Sequence, residues 1–457
     1  RSINNPITED IITGKKEPGS IDDNLYYNRE NSKTNTSGLR DFHNKYIKRK
    51  LIMAVSRPGD TLIDMTVGKA GDLHKWTQAK LSFVLGMDIN KDNIENRLDG
   101  ACARWLSQKS QIDNIPDALF IQGDAGADLI SGQCCKSEKA KEIINAIMGK
   151  GPKDEEFLGK GVYNQYAVAE KGFDIVSNQF SIHYMFGEKS VFLRFIKNVA
   201  DVCKLGGNFI GGCYDGKRIF RDLKNKNVDE SIVINQNGTK IWEIIKKYSN
   251  DTFEDNETSL GYKIEVYQES INKTFGEYLV NFNYLTRVME SFGFIKLNTK
   301  ESKKIGFPSS VNSFQKLHNS MKYEVDNGIL KKNKLGNALN ITPEEKKISF
   351  YNNYFIYRKI RNVDSEEVYN ALMNYNTLDT GTLEKYENII NNIEGEKAST
   401  GDKQGDNDKT DVEGKDHTED EKNKKKKKKE KKEKKKKRKI PKIKITLNQD
   451  TDNDTTQ

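Results

Sequence analysis

The chain has 457 residues, of which 35% are hydrophobic and 31% are charged, and its formal net charge is +9. This length suffices for one large α/β domain or two ordinary ones, and the low hydrophobic share indicates that part of the chain stays solvated. The sequence has no apolar run of about 18 residues and no signal-peptide core, so neither a membrane protein nor a secreted one is indicated.

The N-terminal region, residues 1–36, is polar, rich in Asn, Ser, Lys and Gly, and has little periodicity. It predicts an extended arm. Because the chain begins at Arg1 rather than Met, we also expect it to be a piece of a longer protein. Residues 37–362 follow, with apolar runs that alternate with helical patterns, as in an α/β domain.

Five apolar runs in this region predict buried strands, and amphipathic stretches between them predict helices. The predicted strands cover residues 61–65, 82–88, 118–124, 173–177 and 207–212, and the helices include residues 91–106 and 190–204. Strands that alternate with crossover helices predict a mostly parallel sheet with helices on both faces. Ligands of such sheets bind at the carboxyl ends of the strands.

The C-terminal region divides into two parts. Residues 363–395 predict two closing helices, over 364–374 and 382–393. Residues 396–457 predict a disordered tail, first acidic and then rich in lysine, because such a composition cannot offset the entropy of ordering. Residues 422–444 hold 17 basic and 2 acidic residues, so the body of the chain is only mildly basic. The lysines favour either RNA, through counterion release, or nuclear import.

Three carboxylates end predicted strands and indicate a nucleoside site. Asp64 ends the first strand, before a turn that contains Gly68; Asp88 ends the second strand, and Asp124 ends the third. A glycine turn lets the backbone approach a ligand, and a carboxylate after the second strand can accept hydrogen bonds from ribose hydroxyls.

The turn alone is a weak signal. It lacks a G-x-G-x-x-G pattern, because Thr66 and Ala70 stand where glycine is expected, and an ordinary strand-to-helix turn is the alternative. His183 and Tyr184 follow the fourth predicted strand. They suit a flat base held by stacking and edge hydrogen bonds, although a lone histidine of this kind also serves as a structural residue.

The five cysteines, Cys102, Cys134, Cys135, Cys203 and Cys213, lack the paired spacing of a zinc site. We therefore predict no metal site and free thiols in a reducing compartment.

Four segments in order resemble the mRNA cap guanine-N-7 methyltransferases, especially those of large DNA viruses. They read GLRDFHNKYIK at 38–48, DMTVGKAGDLHKW at 64–76, FDIVSNQFSIHYMF at 173–186 and LGGNFIGGC at 205–213. Two weaker matches are FGEYLV at 275–280 and YFIY at 354–357. The resemblance spans residues 37–362, and residues 66, 67 and 70 depart from the family's glycines and cysteine.

The resemblance implies a Rossmann-like class I fold and methyl transfer from S-adenosylmethionine to the guanosine cap of an RNA 5′ end. It implies donor contacts at Lys48, Asp64, Gly68, Asp88, Asp124 and Gln179. It also implies that the cap guanine is held by Asn44, His183, Tyr184, Glu277 and Tyr354, with Lys75 and Arg104 near the triphosphate. The helix that carries Arg104 has an insertion before it relative to the family. For Glu277 the alternative is a cap or a salt bridge on a surface helix, and for Lys75 and Arg104 it is a solvated charge on a helix.

Methylation of guanine N-7 needs no general base, because the lone pair of N-7 is already available. We therefore predict catalysis by alignment and electrostatics, without a proton-transfer role for His183. One alternative is a methyltransferase for another RNA base or a small molecule. A second is a catalytically silent RNA-binding subunit, and a nicotinamide oxidoreductase is the weakest contender.

The expected partner is the capped 5′ end of RNA, and the expected location is intracellular: cytoplasmic (viral factory or virion) or nuclear. The resemblance to larger viral enzymes also suggests triphosphatase and guanylyltransferase modules upstream, or a stimulatory subunit. The sequence leaves the oligomeric state open.

Overall fold

The computed structural model describes residues 34–374. Most of the predicted N-terminal arm, the helix predicted over residues 382–393 and the lysine-rich tail lie outside the described residues. Within the described part, no helix combines the length and the apolar character needed to cross a membrane.

Twelve strands are present in residues 34–374, and they form two sheets. Their bounds are β1 Thr61–Asp64, β2 Phe83–Asp88, β3 Asp117–Gln122, β4 Phe173–Gln179, β5 Cys203–Tyr214, β6 Ser231–Gln236, β7 Thr239–Lys246, β8 Lys263–Gln268, β9 Lys273–Tyr278, β10 Phe294–Lys296, β11 Val311–Ser313 and β12 Asn352–Lys359.

The main sheet has the order β10-β12-β5-β4-β1-β2-β3, and β11 also pairs with β12. Neighbouring strands from β5 to β3 in that order are parallel, whereas β12 is antiparallel to β5. Both faces are covered, because Leu62 and Ile63 of β1 point into two different hydrophobic cores. The five predicted strands and the mostly parallel α/β fold are therefore confirmed.

Helices cover both faces of this sheet. The α-helices are Ser37–Asp41, Arg49–Val55, Leu73–Gln78, Lys91–Glu95, Ala101–Lys109, Glu138–Ile147, Glu155–Leu158, Lys160–Tyr163, Lys189–Val202, Gly216–Asp222, Phe282–Ser291, Thr299–Lys304, Phe314–Asp326, Pro343–Ser349 and Ser365–Asn374. A π-helical segment, Phe42–Lys48, joins the first two, and 3₁₀ turns occupy Ile182–Phe186, Glu257–Ser259, Lys332–Lys334 and Gly336–Asn340. The helix Ser365–Asn374 begins after Asp364, whose Oδ1 accepts a hydrogen bond from the amide of Glu367 at 3.0 Å.

The single helix predicted over residues 91–106 is wrong: two helices are separated by residues 96–100. The side chain of Asn96 accepts hydrogen bonds from the amides of Leu98 and Asp99 and so competes with the helical pattern. At Gly100 a Cβ would lie 2.6 Å from the backbone of Asn96, which only glycine tolerates. Arg104 therefore lies on the second of these helices, Ala101–Lys109.

The second sheet, β6 to β9, is antiparallel and was not predicted. Asn237 and Gly238 join β6 to β7 with φ values of +52° and +79°, the pattern of a type I′ hairpin turn. The sheet meets the segment after β4, where the amide of Gly261 donates to the carbonyl of Phe186 at 2.9 Å. This contact brings β9 and its Glu277 beside the end of β4.

Candidate functional site

The carboxylates predicted at three strand ends lie at one edge of the main sheet, because β1, β2 and β3 are parallel neighbours. The amide of Gly68 donates to Asp88 Oδ2 at 2.8 Å, and the amide of Thr66 donates to Asp64 Oδ1 at 3.2 Å. Asp124 accepts from the amide of Gly126 at 2.9 Å. Each carboxylate is thus oriented by backbone amides of a loop at the sheet edge.

Burial alters the ionisation of two of these groups. It raises the pKa of Asp88, and burial together with the nearby carboxylate of Asp72 raises the pKa of Asp64 to about 7. A buried carboxylate with a raised pKa gains from a ligand that donates hydrogen bonds to it. The strand ends can therefore take a ligand that presents hydroxyl or amine donors.

The turn after β1 accommodates the residues that depart from the glycine pattern. Gly68 and Ala70 both adopt left-handed backbone, with φ values of +54° and +52°. The hydroxyl of Thr66 lies 2.5 Å from that of Ser181 and accepts from Asn178 Nδ2 at 3.3 Å. Thr66 therefore ties the turn to the segment after β4, whereas Ala70 holds a conformation that is unfavourable for alanine.

Asp72, which the sequence did not single out, joins two predicted site lysines. Its carboxylate lies 2.5 Å from Lys75 Nζ and 3.4 Å from Lys48 Nζ. Burial would raise the pKa of Asp72, but the two ammonium groups outweigh it and hold the pKa well below its usual range. Lys75 is completely buried, so it is not the solvated helix charge considered as its alternative.

Arg104 lies on the helix Ala101–Lys109 and is exposed, as expected for a solvated helix charge, but its guanidinium donates to the carbonyl of Lys69 at 3.0 Å. This bond attaches Arg104 to the turn after β1. His74 also lies in this region, since Lys75, Arg104 and Arg49 all help to lower its pKa, after burial as the largest cause. Positive charge is thus concentrated beside the turn.

His183 and Glu277 form the second part of the site. His183 lies in the 3₁₀ turn after β4, and its Nε2 is 3.7 Å from Oε2 of Glu277 in β9. Both side chains are buried, and within residues 34–374 neither ring nitrogen of His183 nor Oε2 of Glu277 has a hydrogen-bond partner. The ring of Tyr184 is exposed, with its centroid 4.2 Å from that of His183. Buried polar atoms without hydrogen-bond partners cost folding free energy. This pair therefore suits a ligand that would form hydrogen bonds with these atoms.

The ionisation of this pair follows from burial alone. Burial lowers the pKa of His183 to about 3 and raises the pKa of Glu277 to about 8. The imidazole is therefore neutral near pH 7, and Glu277 is mostly the neutral acid. Glu277 is buried in the strand Lys273–Tyr278, and its ionic contact is with the buried His183 rather than with a surface helix.

Three further predicted site residues are Gln179, Asn44 and Tyr354. Gln179 ends β4 and is buried, and its Oε1 has no hydrogen-bond partner among the described residues. Asn44 lies in the π-helical segment, and its amide donates to the carbonyl of Arg40 at 3.1 Å. Tyr354 is fully buried in β12, where its hydroxyl donates to the carbonyl of Ser309 at 2.9 Å. A role for Asn44 or Tyr354 with a purine stays a prediction.

Phe180 belongs to a segment that carries the family resemblance, but the sequence indicates no role for it. It follows β4 with a φ of +62°, which is unusual for a bulky residue. Its ring stacks on His43 at 5.1 Å between centroids, and Lys48 Nζ lies 5.6 Å from the ring centroid. Phe180 therefore packs the π-helical segment Phe42–Lys48 against the end of β4. Its strained backbone is of the kind found at functional sites.

Comparison with known proteins identifies a family whose model matches this chain. The model of the mRNA (guanine-N(7))-methyltransferase domain family matches residues 20–421. A protein of Acanthamoeba polyphaga mimivirus, described as a probable mRNA-capping enzyme, is 28% identical over 342 residues, which cover 70% of this chain and 27% of the relative.

Cellular proteins match as well. The mRNA cap guanine-N(7) methyltransferases of Candida glabrata and Saccharomyces cerevisiae are 27% and 26% identical over 259 residues. These matches cover 56% of this chain in both cases, and 52% and 50% of the two relatives. The chain thus spans about half the length of these cellular relatives and about a quarter of the viral one.

Among solved structures, the CcbJ methyltransferase of Streptomyces caelestis aligns with a TM-score of 0.37 at 10% identity, covering 68% of this chain and 89% of that one.

Proposed function

We propose, since the chain belongs to the mRNA (guanine-N(7))-methyltransferase domain family, that it methylates N-7 of the guanine that caps an RNA 5′ end. The observation that carries the proposal is the buried His183–Glu277 pair, whose polar atoms have no hydrogen-bond partner in residues 34–374. A purine with polar edges is the ligand that such a pair fits best.

S-adenosylmethionine would supply the methyl group as a sulfonium, from a site at the ends of β1, β2 and β4. The residues fit it: Asp88 can accept from ribose hydroxyls, and Gln179 has a buried oxygen that lacks a partner. Lys48, Asp64, Gly68 and Asp124 complete the proposed set. Lys48 and Asp72 present charges of opposite sign, which suits a ligand with both ammonium and carboxylate groups.

On the guanine side, Glu277 and His183 would bind and orient the base. The amino and imino groups of guanine can donate to Glu277, and its ionised carboxylate would stabilise the positive charge that guanine gains during methylation. The neutral imidazole of His183 would form hydrogen bonds with the base, and the neighbouring ring of Tyr184 would stack on it. No residue needs to remove a proton, because N-7 carries a free lone pair.

Lys75 and Arg104 are proposed to meet the cap triphosphate. Lys75 Nζ donates to Asp72, and the guanidinium of Arg104 donates to the carbonyl of Lys69. A phosphate would therefore have to compete with Asp72 for the ammonium of Lys75. The clustering of Lys48, Lys75 and Arg104 around this turn supports an anionic ligand there.

The decisive experiment is methyl transfer from labelled S-adenosylmethionine to three RNAs that differ only at the 5′ end. They carry an unmethylated guanosine cap, an N-7-methylated cap and a bare triphosphate. We expect label on the first RNA alone. Label on all three would indicate an internal base as the substrate, and donor binding without label on any RNA would indicate a small-molecule substrate. No label together with no donor binding would indicate a silent RNA-binding subunit.

We further propose that the chain works inside the cell, in a viral factory or virion or in the nucleus, as the methyltransferase step of a larger capping assembly. The support is the viral relative, of which this chain covers 27% and which is described as a capping enzyme. Triphosphatase and guanylyltransferase modules, or a stimulatory subunit, would then accompany it. Full activity of the isolated chain on capped RNA would show that it needs none of them.

A further inference from the structure

Two adjacent cysteines lie against the loop that carries Asp124. Cys134 Sγ and Cys135 Sγ are 3.7 Å apart, and all five cysteines, which lie within residues 34–374, are free. The carbonyl of Cys134 accepts a hydrogen bond from the amide of Asp124 at 2.8 Å, and Cys135 forms an antiparallel bridge with Gly123. The peptide that links the two cysteines therefore anchors the start of the Asp124 loop.

The two thiols differ in surroundings in a way that suits oxidation chemistry. Cys134 is buried in the hydrophobic core, whereas Cys135 is partly exposed. The hydrogen bond from Cys134 lowers the pKa of Cys135 despite burial, and Lys141 lowers it further. In the other four cysteines the pKa is raised, chiefly by burial or, in Cys134, by the bond to Cys135. Redox-sensitive cysteines combine such thiolate character and access with a neighbouring second thiol.

We propose that Cys135 is an oxidation site and that Cys134 resolves it, so that a peroxide converts the pair into a reversible disulfide that disturbs the Asp124 loop. The thiolate of Cys135 attacks one oxygen of hydrogen peroxide; an S–O bond forms, the O–O bond breaks, and the leaving hydroxide takes a proton to become water. The thiol of Cys134, after loss of its proton, attacks the sulfenic sulfur. The S–S bond forms and a second water leaves, so the two thiols supply the two electrons that reduce the peroxide.

The disulfide would move the backbone because of chain geometry. Consecutive Cα atoms are 3.8 Å apart across a trans peptide, while disulfides prefer Cα separations of about 4.4–6.8 Å. The two sulfurs must also approach from 3.7 Å to a bond length of about 2.05 Å. The connecting peptide must therefore twist, and its carbonyl is the acceptor that holds the amide of Asp124. Strain of this kind makes a disulfide easy to reduce, which allows reversal.

The effect on donor binding rests on the proposed function, because it requires Asp124 to contact S-adenosylmethionine. Loss of one backbone hydrogen bond beside the ligand should weaken donor binding by about five- to tenfold. The covalent change and the loosening of the loop do not depend on that function, so they are measured separately.

The test uses the full chain, reduced, freed of reductant and treated with hydrogen peroxide. Trypsin should release residues 110–136, in which Cys134 and Cys135 are the only cysteines. We expect this peptide to lose two hydrogens in mass and to regain them with dithiothreitol. In the intact oxidised protein, amide hydrogen exchange should become faster around Asp124, and S-adenosylmethionine should bind more weakly until the protein is reduced.

Three variants sharpen the test. Cys135→Ser should abolish the reaction of this pair, and Cys134→Ser should leave a Cys135 sulfenic acid that dimedone traps. Cys102→Ser, at a partly exposed cysteine on the helix Ala101–Lys109, should keep the whole response. Two free thiols in the 110–136 peptide after treatment would overturn the proposal, and so would a disulfide that leaves hydrogen exchange at Asp124 unchanged. A reduced protein that binds no donor would instead contradict the proposed function.

Discussion

The two halves of the site differ in how the protein satisfies its own polar groups. Around the turn after β1, the carboxylates of Asp64, Asp72 and Asp88 all have amide or ammonium partners within the protein. At the His183–Glu277 pair, three buried polar atoms have no partner in residues 34–374. The turn is therefore organised by the protein itself, whereas the pair has polar atoms that a ligand could satisfy.

This difference suggests a division of labour between affinity and selectivity. A preorganised site binds without first having to order its own groups. A site with unsatisfied polar groups strongly rejects ligands that lack the matching donors and acceptors. The donor half should therefore govern binding of S-adenosylmethionine, and the pair should govern which base is methylated.

The largest effect is expected from Glu277→Gln. This change removes the charge that would stabilise cationic guanine, so kcat/KM for capped RNA should fall by about 10²- to 10³-fold while donor affinity stays unchanged. Methyl-transfer kinetics and donor titration measure the two quantities. Glu265→Gln is the matched control, because Glu265 lies on the neighbouring strand β8 and pairs with Lys247. Weakened donor binding in Glu277→Gln would contradict the separation of donor binding from the choice of base.

Asp88→Ala should produce the complementary result. Loss of a carboxylate that accepts from ribose hydroxyls should weaken donor binding by about a hundredfold. The residual enzyme, saturated with donor, should keep its preference for a guanosine cap. Calorimetric titration with S-adenosylmethionine provides the measurement, and Asp113→Ala, at an exposed loop position, is the control. Donor affinity equal to that of the unaltered chain would exclude Asp88 from the donor site.

The pH dependence of kcat/KM should report Glu277. Burial raises its pKa to about 8, and the cationic guanine requires the ionised form. We therefore expect kcat/KM for capped RNA to rise by about tenfold per pH unit below this pKa and to level off above it. Glu277→Gln should lack the rise. A flat profile for the unaltered chain would contradict an ionised Glu277 as the active form.

The raised pKa of Glu277 also predicts that the free energy of unfolding depends on pH. The folded-state pKa of Glu277 lies above its ordinary value of 4.5, so the stabilisation is fully present below 4.5 and is lost as pH rises toward about 8. His183 acts in the opposite sense only below its ordinary value of 6.5. Chemical unfolding between pH 6.5 and 8 should therefore show a decline in the free energy of unfolding that Glu277→Gln makes shallower, while the raised pKa of Asp64 leaves part of the decline in place.

The smallest effect concerns the backbone of the preorganised turn. Ala70→Gly should stabilise the protein by about 0.5–1 kcal/mol, because alanine is disfavoured at the observed φ of +52°. Ala54→Gly, within the helix Arg49–Val55, should destabilise it by about 1 kcal/mol. Urea unfolding of both variants tests the pair. Equal destabilisation would mean that the turn does not hold Ala70 in left-handed backbone.

The sequence predicted the main sheet because its strands are continuous apolar runs that end in carboxylates. It also placed Asp64, Asp88 and Asp124 at one edge, since parallel strands end together. It could not predict the role of Asp72, because the ion pairs with Lys48 and Lys75 depend on how a helix packs beside the turn. Nor could it predict that Tyr354 lies fully in the interior, since alternate residues of a buried strand look alike.

The second sheet was missed although its sequence carried a signal. Residues 231–246 hold β-branched and aromatic side chains on both sides of Asn237-Gly238, a strong indication of a hairpin. The partnership of His183 with Glu277 had no such local signal. The two residues are far apart in the chain, and they meet only because this sheet packs against the segment after β4.

The position of β12 has a consequence for synthesis of the chain. This strand is formed near the end of the described residues, yet it enters the sheet between β5 and β10. Until it emerges from the ribosome, β5 is an open edge beside uncovered apolar surface, a hazard for aggregation. Nascent chains that stop before Asn352 should therefore need a chaperone, whereas chains that include Lys359 can close the sheet unaided.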